Sequence, residues 1–172
     1  DFACGITDAK TQVIAQTNGI TLFTGTFGPQ VQSIIDKFGL DGMRPEDVFA
    51  TNISYAGGTH SNDVCLVKPI FFEGSIVGFA VSVTHWIEMG GSVPGSLPPD
   101  ATEIYQEGLR LPGVRVVEEG TLSDTVVAII EANIRLPVTG IGDLNAGLAA
   151  VNIADRRVRE ACERYGLEMV EA

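Results

Sequence analysis

The chain has two histidines among its 172 residues, and each stands where an apolar stretch meets a turn. His60 lies in Thr59-His60-Ser61-Asn62-Asp63-Val64, with Asp63 three residues on, and His85 lies in Thr84-His85-Trp86. Imidazole nitrogen and carboxylate oxygen suit borderline divalent ions such as zinc or manganese. A catalytic centre of that kind uses about three protein ligands and keeps a position open for water or substrate. The same residues also allow a plainer assignment, with His60 capping a turn, Asp63 solvated and His85 satisfied in the core. Whether the chain brings the three together separates the two readings.

The elements between them speak to that. Segments 64–72 and 75–84 are apolar and β-branched, and Glu73-Gly74 between them is a two-residue hairpin signal. Asp63 and His85 lie about 10.5 and about 11.5 residues from the centre of that turn. The hairpin therefore returns His85 to the edge where His60 and Asp63 begin, within side-chain reach of one ion. The unbroken apolar character of both strands predicts burial on two faces, at the centre of a sheet.

Around the hairpin, the pattern predicts short strands over 2–6 and 11–16 about an Asp8-Ala9-Lys10 turn, a loop over 17–28, a helix over 29–38 and a strand over 46–53. Loops follow at 54–62 and at the Gly/Pro/Ser-rich 88–99, then a mixed segment at 103–111 and a strand at 114–117. A helix is expected over 121–133, capped by Thr121 or Ser123, and a long one over 137–165, with a kink near Gly140 or Gly142. The fold class is mixed α/β (α+β): a central sheet holding the buried hairpin, with the long C-terminal helix packed outside it, as one domain over 1–172.

Composition narrows the function classes. An apolar fraction of 45% with 19% charged residues describes a globular chain. Eleven basic against 22 acidic residues give a net charge of −11, which argues against a nucleic-acid partner. No apolar run reaches the length of a membrane span. Cys4, Cys65 and Cys162 are odd in number and widely spaced, so a reducing, cytoplasmic setting is expected. No nucleotide-binding loop is present. The late arginines Arg156, Arg157, Arg159 and Arg164 suit a solvated helix face better than a phosphate site, and the amides of Met89-Gly90-Gly91 could cradle an anionic oxygen or simply form a connector.

Several motifs in order carry a family resemblance. Asp1-Phe2-Ala3-Cys4-Gly5, Gly57-Gly58-Thr59-His60-Ser61-Asn62-Asp63-Val64, His85-Trp86-Ile87-Glu88-Met89-Gly90-Gly91, Pro94-Gly95-Ser96 and Glu103-Ile104-Tyr105-Gln106-Glu107-Gly108-Leu109 together resemble the hydantoinase B / 5-oxoprolinase family. That family includes N-methylhydantoinase B subunits, ATP-dependent lactam hydrolases and the large subunits of acetone and acetophenone carboxylases. Its members are much longer, so the chain resembles an N-terminal portion of such a subunit. It is expected to need other protein, the remainder of its own subunit or a partner, to cover apolar surface.

The resemblance implies metal ligands at His60, Asp63 and His85, the three residues the hairpin argument selects, with Asp1 as a fourth. It implies a partner hydantoinase A-type subunit that binds ATP and Mg and phosphorylates a substrate carbonyl, so that no ATP sits on this chain. Zinc or manganese held here would lower the pKa of a water that meets the activated carbon of a cyclic amide. Glu88 or Glu107 would move protons, each being also a plain structural acceptor. The alternatives are ATP-dependent carboxylation of a ketone, as in the acetone and acetophenone carboxylases, and a non-catalytic assembly domain. Two departures bear on substrate: Ile53, in Asn52-Ile53-Ser54-Tyr55, replaces a usual family aspartate, and Phe23, in Leu22-Phe23-Thr24-Gly25, replaces a usual histidine.

Overall fold

The computed structural model describes residues 1–168, and residues 169–172 lie outside that description. Among the described residues seven strands form one antiparallel sheet in the order β2-β1-β5-β4-β3-β6-β7. These are β1 (Phe2–Asp8), β2 (Val13–Gln16), β3 (Val48–Thr51), β4 (Asp63–Phe72), β5 (Ser75–His85), β6 (Val114–Glu118) and β7 (Thr121–Leu122). The helices are α1 (Thr21–Thr24), α2 (Phe27–Phe38), α3 (Asp124–Asn133) and α4 (Pro137–Tyr165). The expected mixed α/β architecture is present, with β4 and β5 in the middle of the sheet.

The hairpin is buried on both faces because alternate side chains enter two separate cores. Val64, Leu66, Ile70 and Ala80 meet Leu144 and Val151 of α4, with Ile130 of α3 in the same core. Cys65, Val67, Phe79, Val81 and Val83 meet Phe27, Val31 and Ile34 of α2. Glu73 and Gly74 both adopt positive φ, 49° and 83°, the twist a two-residue turn needs between right-handed strands. Where α4 crosses the sheet, a Cβ on Gly147 would stand 2.7 Å from Leu66 Cδ1, so close approach of the helix requires a glycine.

Several boundaries differ from those the sequence suggested: β1 runs on to Asp8 and β2 begins only at Val13. The stretch over 17–28 is not all loop: α1 forms a single turn and α2 begins at Phe27, because Phe23 and Phe27 are buried under the sheet and outweigh the Thr- and Gly-rich composition. Pro29 still falls in the first turn of α2, where a missing N–H costs nothing. Residues 121–122 pair with β6, and the helix starts only after Ser123, whose hydroxyl accepts from the Val126 N–H. The strand expected over 46–53 is confined to Val48–Thr51. α4 runs unbroken through Gly140 and Gly142. No disulfide forms among the described cysteines. No helix among the described residues is long and apolar enough to cross a membrane.

Candidate metal centre

Asp63 opens β4 and His85 closes β5, and the two are direct register partners. Spacing alone would leave them one residue out of step. Beside the turn Phe72 pairs with Ser75 and Phe71 with Ile76, a ladder that, continued, would set Asp63 opposite Thr84 and turn His85 to the other face. A register shift between Ile70 and Phe71, where β5 carries Val77 as an extra residue, absorbs the difference. From there on the pairs run true to Asp63 and His85. Both side chains consequently lie on the α2 side of the sheet, two places beyond Cys65 and Val83.

Asp63 gathers the site. His85 Nδ1 lies 2.6 Å from Asp63 Oδ1. Asp63 Oδ2 accepts the backbone N–H of His60 at 2.8 Å and the hydroxyl of Thr59, and it lies 3.3 Å from His60 Nδ1. The side chains of Asp63, His85 and His60 are 1%, 27% and 62% exposed, so the cluster grades from a buried carboxylate to an open imidazole. The two rings are nearly perpendicular with centroids 6.1 Å apart. One donor atom from each of the three residues lies within 4.8 Å of the others. Burial opposes ionisation of Asp63, but the Thr59 hydroxyl, the His60 N–H and His85 outweigh it and hold the carboxyl below its ordinary value.

Local chain geometry fixes His60. Gly57 has φ of 90°, and a Cβ there would stand 2.5 Å from Pro29 Cβ at the start of α2. Ile53 C=O accepts from Ala56 and Gly58, and Ser54 Oγ donates to Thr59 C=O at 2.6 Å. The Gly-Gly pair is thus the hinge that folds the segment under α2 and presents Thr59 and His60 to Asp63. Asn62, which the sequence reading did not single out, ties the far side. Its Nδ2 donates to Trp86 C=O at 2.9 Å and its own C=O accepts from Trp86 N–H at 2.9 Å, clamping the chain just past the Asp63–His85 pair. A polar residue between two candidate ligands was the available signal.

Asp1 is placed beside the cluster. Carrying the β1–β5 register one step beyond Phe2↔Thr84 sets Asp1 opposite His85, and His85 N–H donates to Asp1 C=O at 2.9 Å. Because β5 lies between β1 and β4, Asp1, His85 and Asp63 form a row on one face. The Asp1 side chain is exposed and stands outside the three-residue cluster.

The two candidate proton carriers separate. Glu88 is buried, and its carboxylate accepts from the Arg135 guanidinium at 2.5 Å, the Arg135 N–H at 2.5 Å and the Gly90 N–H at 2.9 Å. Burial opposes its charge, yet these donors hold its carboxyl below the usual range. Glu88 thus ties the segment after His85 to the junction of α3 and α4. Glu107 Oε2 accepts from Ser61 Oγ at 3.3 Å, which sets Glu107 against the residue next to His60. The Met89-Gly90-Gly91 stretch is a connector: Met89 N–H donates to Ser96 Oγ, Gly90 N–H to Glu88 and Leu109 N–H to Met89 C=O. The late arginines pair along α4, Arg156 and Arg157 with Glu160 and Arg159 with Asp155, and Arg164 lies over the Tyr165 ring.

Two imidazoles and one ionised carboxylate, with Asp63 and His85 at strand ends and His60 on the turn before β4, form a donor set that fits a borderline divalent ion. Comparisons with known proteins agree on the lineage. The chain is 33% identical over 172 residues to the caprolactamase subunit beta of Pseudomonas jessenii, covering 100% of this chain and 29% of that subunit. It is 31% identical over 141 residues to the acetophenone carboxylase delta subunit of Aromatoleum aromaticum, covering 81% of this chain and 20% of that one. The crystal structure of the ATP-dependent caprolactamase from Pseudomonas jessenii superposes with a TM-score of 0.93 at 33% identity, over 99% of this chain and 29% of that chain. The chain thus spans less than a third of the length of each of these relatives. The Hydantoinase B/oxoprolinase profile matches residues 1–172, and the chain belongs to that family.

Proposed function

We propose that this chain is the metal-bearing part of a hydantoinase B/oxoprolinase-type subunit that hydrolyses a cyclic amide whose carbonyl a partner ATP-binding subunit has activated. The observation that carries the reading is the cross-strand pair: Asp63 and His85 face each other, and Asp63 also folds His60 back into reach. Similarity to a caprolactamase subunit supports the cyclic-amide substrate class and the need for ATP supplied elsewhere.

In this reading His60, Asp63 and His85 hold zinc or manganese, with Asp1 completing the set. A divalent ion there would supply Lewis acidity, polarising an oxygen and easing the loss of a proton from water. The chain's own residues do the positioning. Asp63, held ionised by its donors, lies 2.6 Å from His85 Nδ1 and so fixes the orientation of that ring. Thr59 fixes the second carboxylate oxygen. Glu107 is the carboxylate assigned to moving a proton near His60, and Glu88 acts at one remove by holding the segment that follows His85.

A ketone-carboxylating complex would use the same three donors, and similarity to an acetophenone carboxylase delta subunit favours keeping that second reading. Elemental analysis of the full-length polypeptide and of its His85→Ala variant tests the site, with the variant expected to lose its metal while ATP turnover by the partner persists. Product analysis with and without bicarbonate separates the two chemistries. Equal metal content in both proteins would leave an assembly role as the reading.

A further inference from the structure

The sheet is covered unevenly. On the face where α4 lies, the helix rests over β4 and β5, and the β1–β2 end is left open beside it. Two cavities of about 310 and about 230 Å³ meet there at Ile6 and run along the flank of α4. Cys4, Ile6 and Ile14 form the floor, Ala154 and Val158 of α4 the wall, and Leu167 closes one end. The charged groups of this groove, Asp8 and Lys10, belong to the turn at that same end. Beyond the wall Ile153 is 53% exposed, and on the floor side β2 is an edge strand with all four residues exposed, Val13 and Ile14 among them.

An open edge strand beside an apolar groove is a feature that isolated domains avoid, since it invites pairing with other chains. Here it continues the layer that α4 begins: the space beside a helix lying on a sheet is where a second helix packs, about 10 Å away. The relatives this chain matches carry more than two-thirds of their length outside the matched stretch, so covering polypeptide is available within one subunit.

We propose that the groove between α4 and the β1–β2 hairpin is the seat of an aliphatic helix from the remainder of its own hydantoinase B-type subunit. The occupant would present side chains at i, i+4 and i+7 to Ile6, Ile14 and Ala154, with its polar end beside Lys10 and Asp8. This surface is independent of what the His60–Asp63–His85 cluster does.

The groove carries its own reporter. Cys4 lines it and is part-exposed, whereas Cys65 and Cys162 are buried. In the full-length polypeptide without its partner, maleimide labelling of Cys4 should run roughly 100-fold slower than in the denatured chain, because the site must open locally to react. In the complex with its ATP-binding partner, a photo-cross-linker carried on Ala154→Cys should join a peptide from outside residues 1–172 of the same molecule, read by mass spectrometry. Should that variant misfold, the same linker on Ile153→Cys, an exposed position, serves instead. Cross-links to the ATP-binding partner or to a second copy would overturn the proposal. So would cross-links confined to residues 1–172, or Cys4 labelling at the rate of an open thiol.

Discussion

His85 faces Asp63 squarely across the β4–β5 ladder, with its Nδ1 2.6 Å from the carboxylate. The pair joins the end of one strand to the start of another and lies at the mouth of the two-sided core, so its geometry is set by the sheet rather than by a loop. Asp63 therefore braces the sheet end while standing in the candidate metal cluster.

Asp63→Ala would leave the Thr59 hydroxyl, the His60 N–H and His85 without their shared acceptor. These donors are only part-buried and water can reach them, so each lost bond should cost about 0.5–1.5 kcal/mol, with the metal lost and the sheet end loosened together. Asp63→Asn keeps an acceptor oxygen and should unfold nearer the wild-type urea midpoint, yet hold metal weakly. Urea titration paired with elemental analysis checks both variants. A loss of metal in Asp63→Ala with an unchanged midpoint would contradict the structural half of this expectation.

Acid should destabilise the fold through Glu88 and Asp63. Their carboxyls lie below the usual 4.5 and 3.8 in the folded chain, so the unfolded chain takes up protons first as pH falls. Their stabilisation is fully present above the ordinary carboxylate values and is lost as pH drops from there through the lowered folded-state values. Thermal melting of wild type and Glu88→Gln between pH 7 and pH 3 should show the variant less stable at neutrality and losing less on acidification. Parallel melting curves would rule out Glu88 as a source of the acid sensitivity.

Lys68 is a buried cation on β4 facing α4. Its Nζ lies 2.5 Å from Glu46 Oε2, 2.8 Å from Asn152 Oδ1 and 3.2 Å from Asp155 Oδ2, and both Lys68 and Asp155 are almost fully buried. Lys68→Ala removes one of the two cations beside Asp155 and leaves Arg159, which donates to both carboxylate oxygens at 3.1 and 3.2 Å, so the loss should be on the order of 1–3 kcal/mol. The double variant Lys68→Met/Asp155→Leu should recover most of that loss, because breaking such a pair is worse than removing it. Chemical denaturation of the three proteins is the check.

Gly90 sits at φ of 86° with space for a Cβ only 2.3 Å from the Asn133 carbonyl oxygen. Gly90→Ala combines left-handed strain with a backbone clash, and should cost at least about 1–3 kcal/mol while loosening the segment that Glu88 ties to Arg135. Hydrogen exchange over residues 88–96 should rise in the variant, and an unchanged exchange pattern would argue against a tight passage there.

The sequence by itself determined the elements whose patterning is local. The apolar runs around Glu73-Gly74 specify a buried hairpin, and the hairpin dictates that His60, Asp63 and His85 share one sheet end, because a two-residue turn leaves no freedom about where the strands return. The long helix over 137–165 was equally legible from its spacing and from Pro137 at its start. Only the tertiary structure decided which faces those residues present. The bulge at Val77 sets His85 on the same side as Asp63, and nothing in the two strands' composition announces a one-residue slip. It also decided that Phe23 and Phe27 pull helix out of a Thr- and Gly-rich stretch, and that Arg135, distant in sequence, takes Glu88 into the scaffold. Burial and long-range charge pairing are settled between segments far apart along the chain, so a residue's own neighbours do not reveal them.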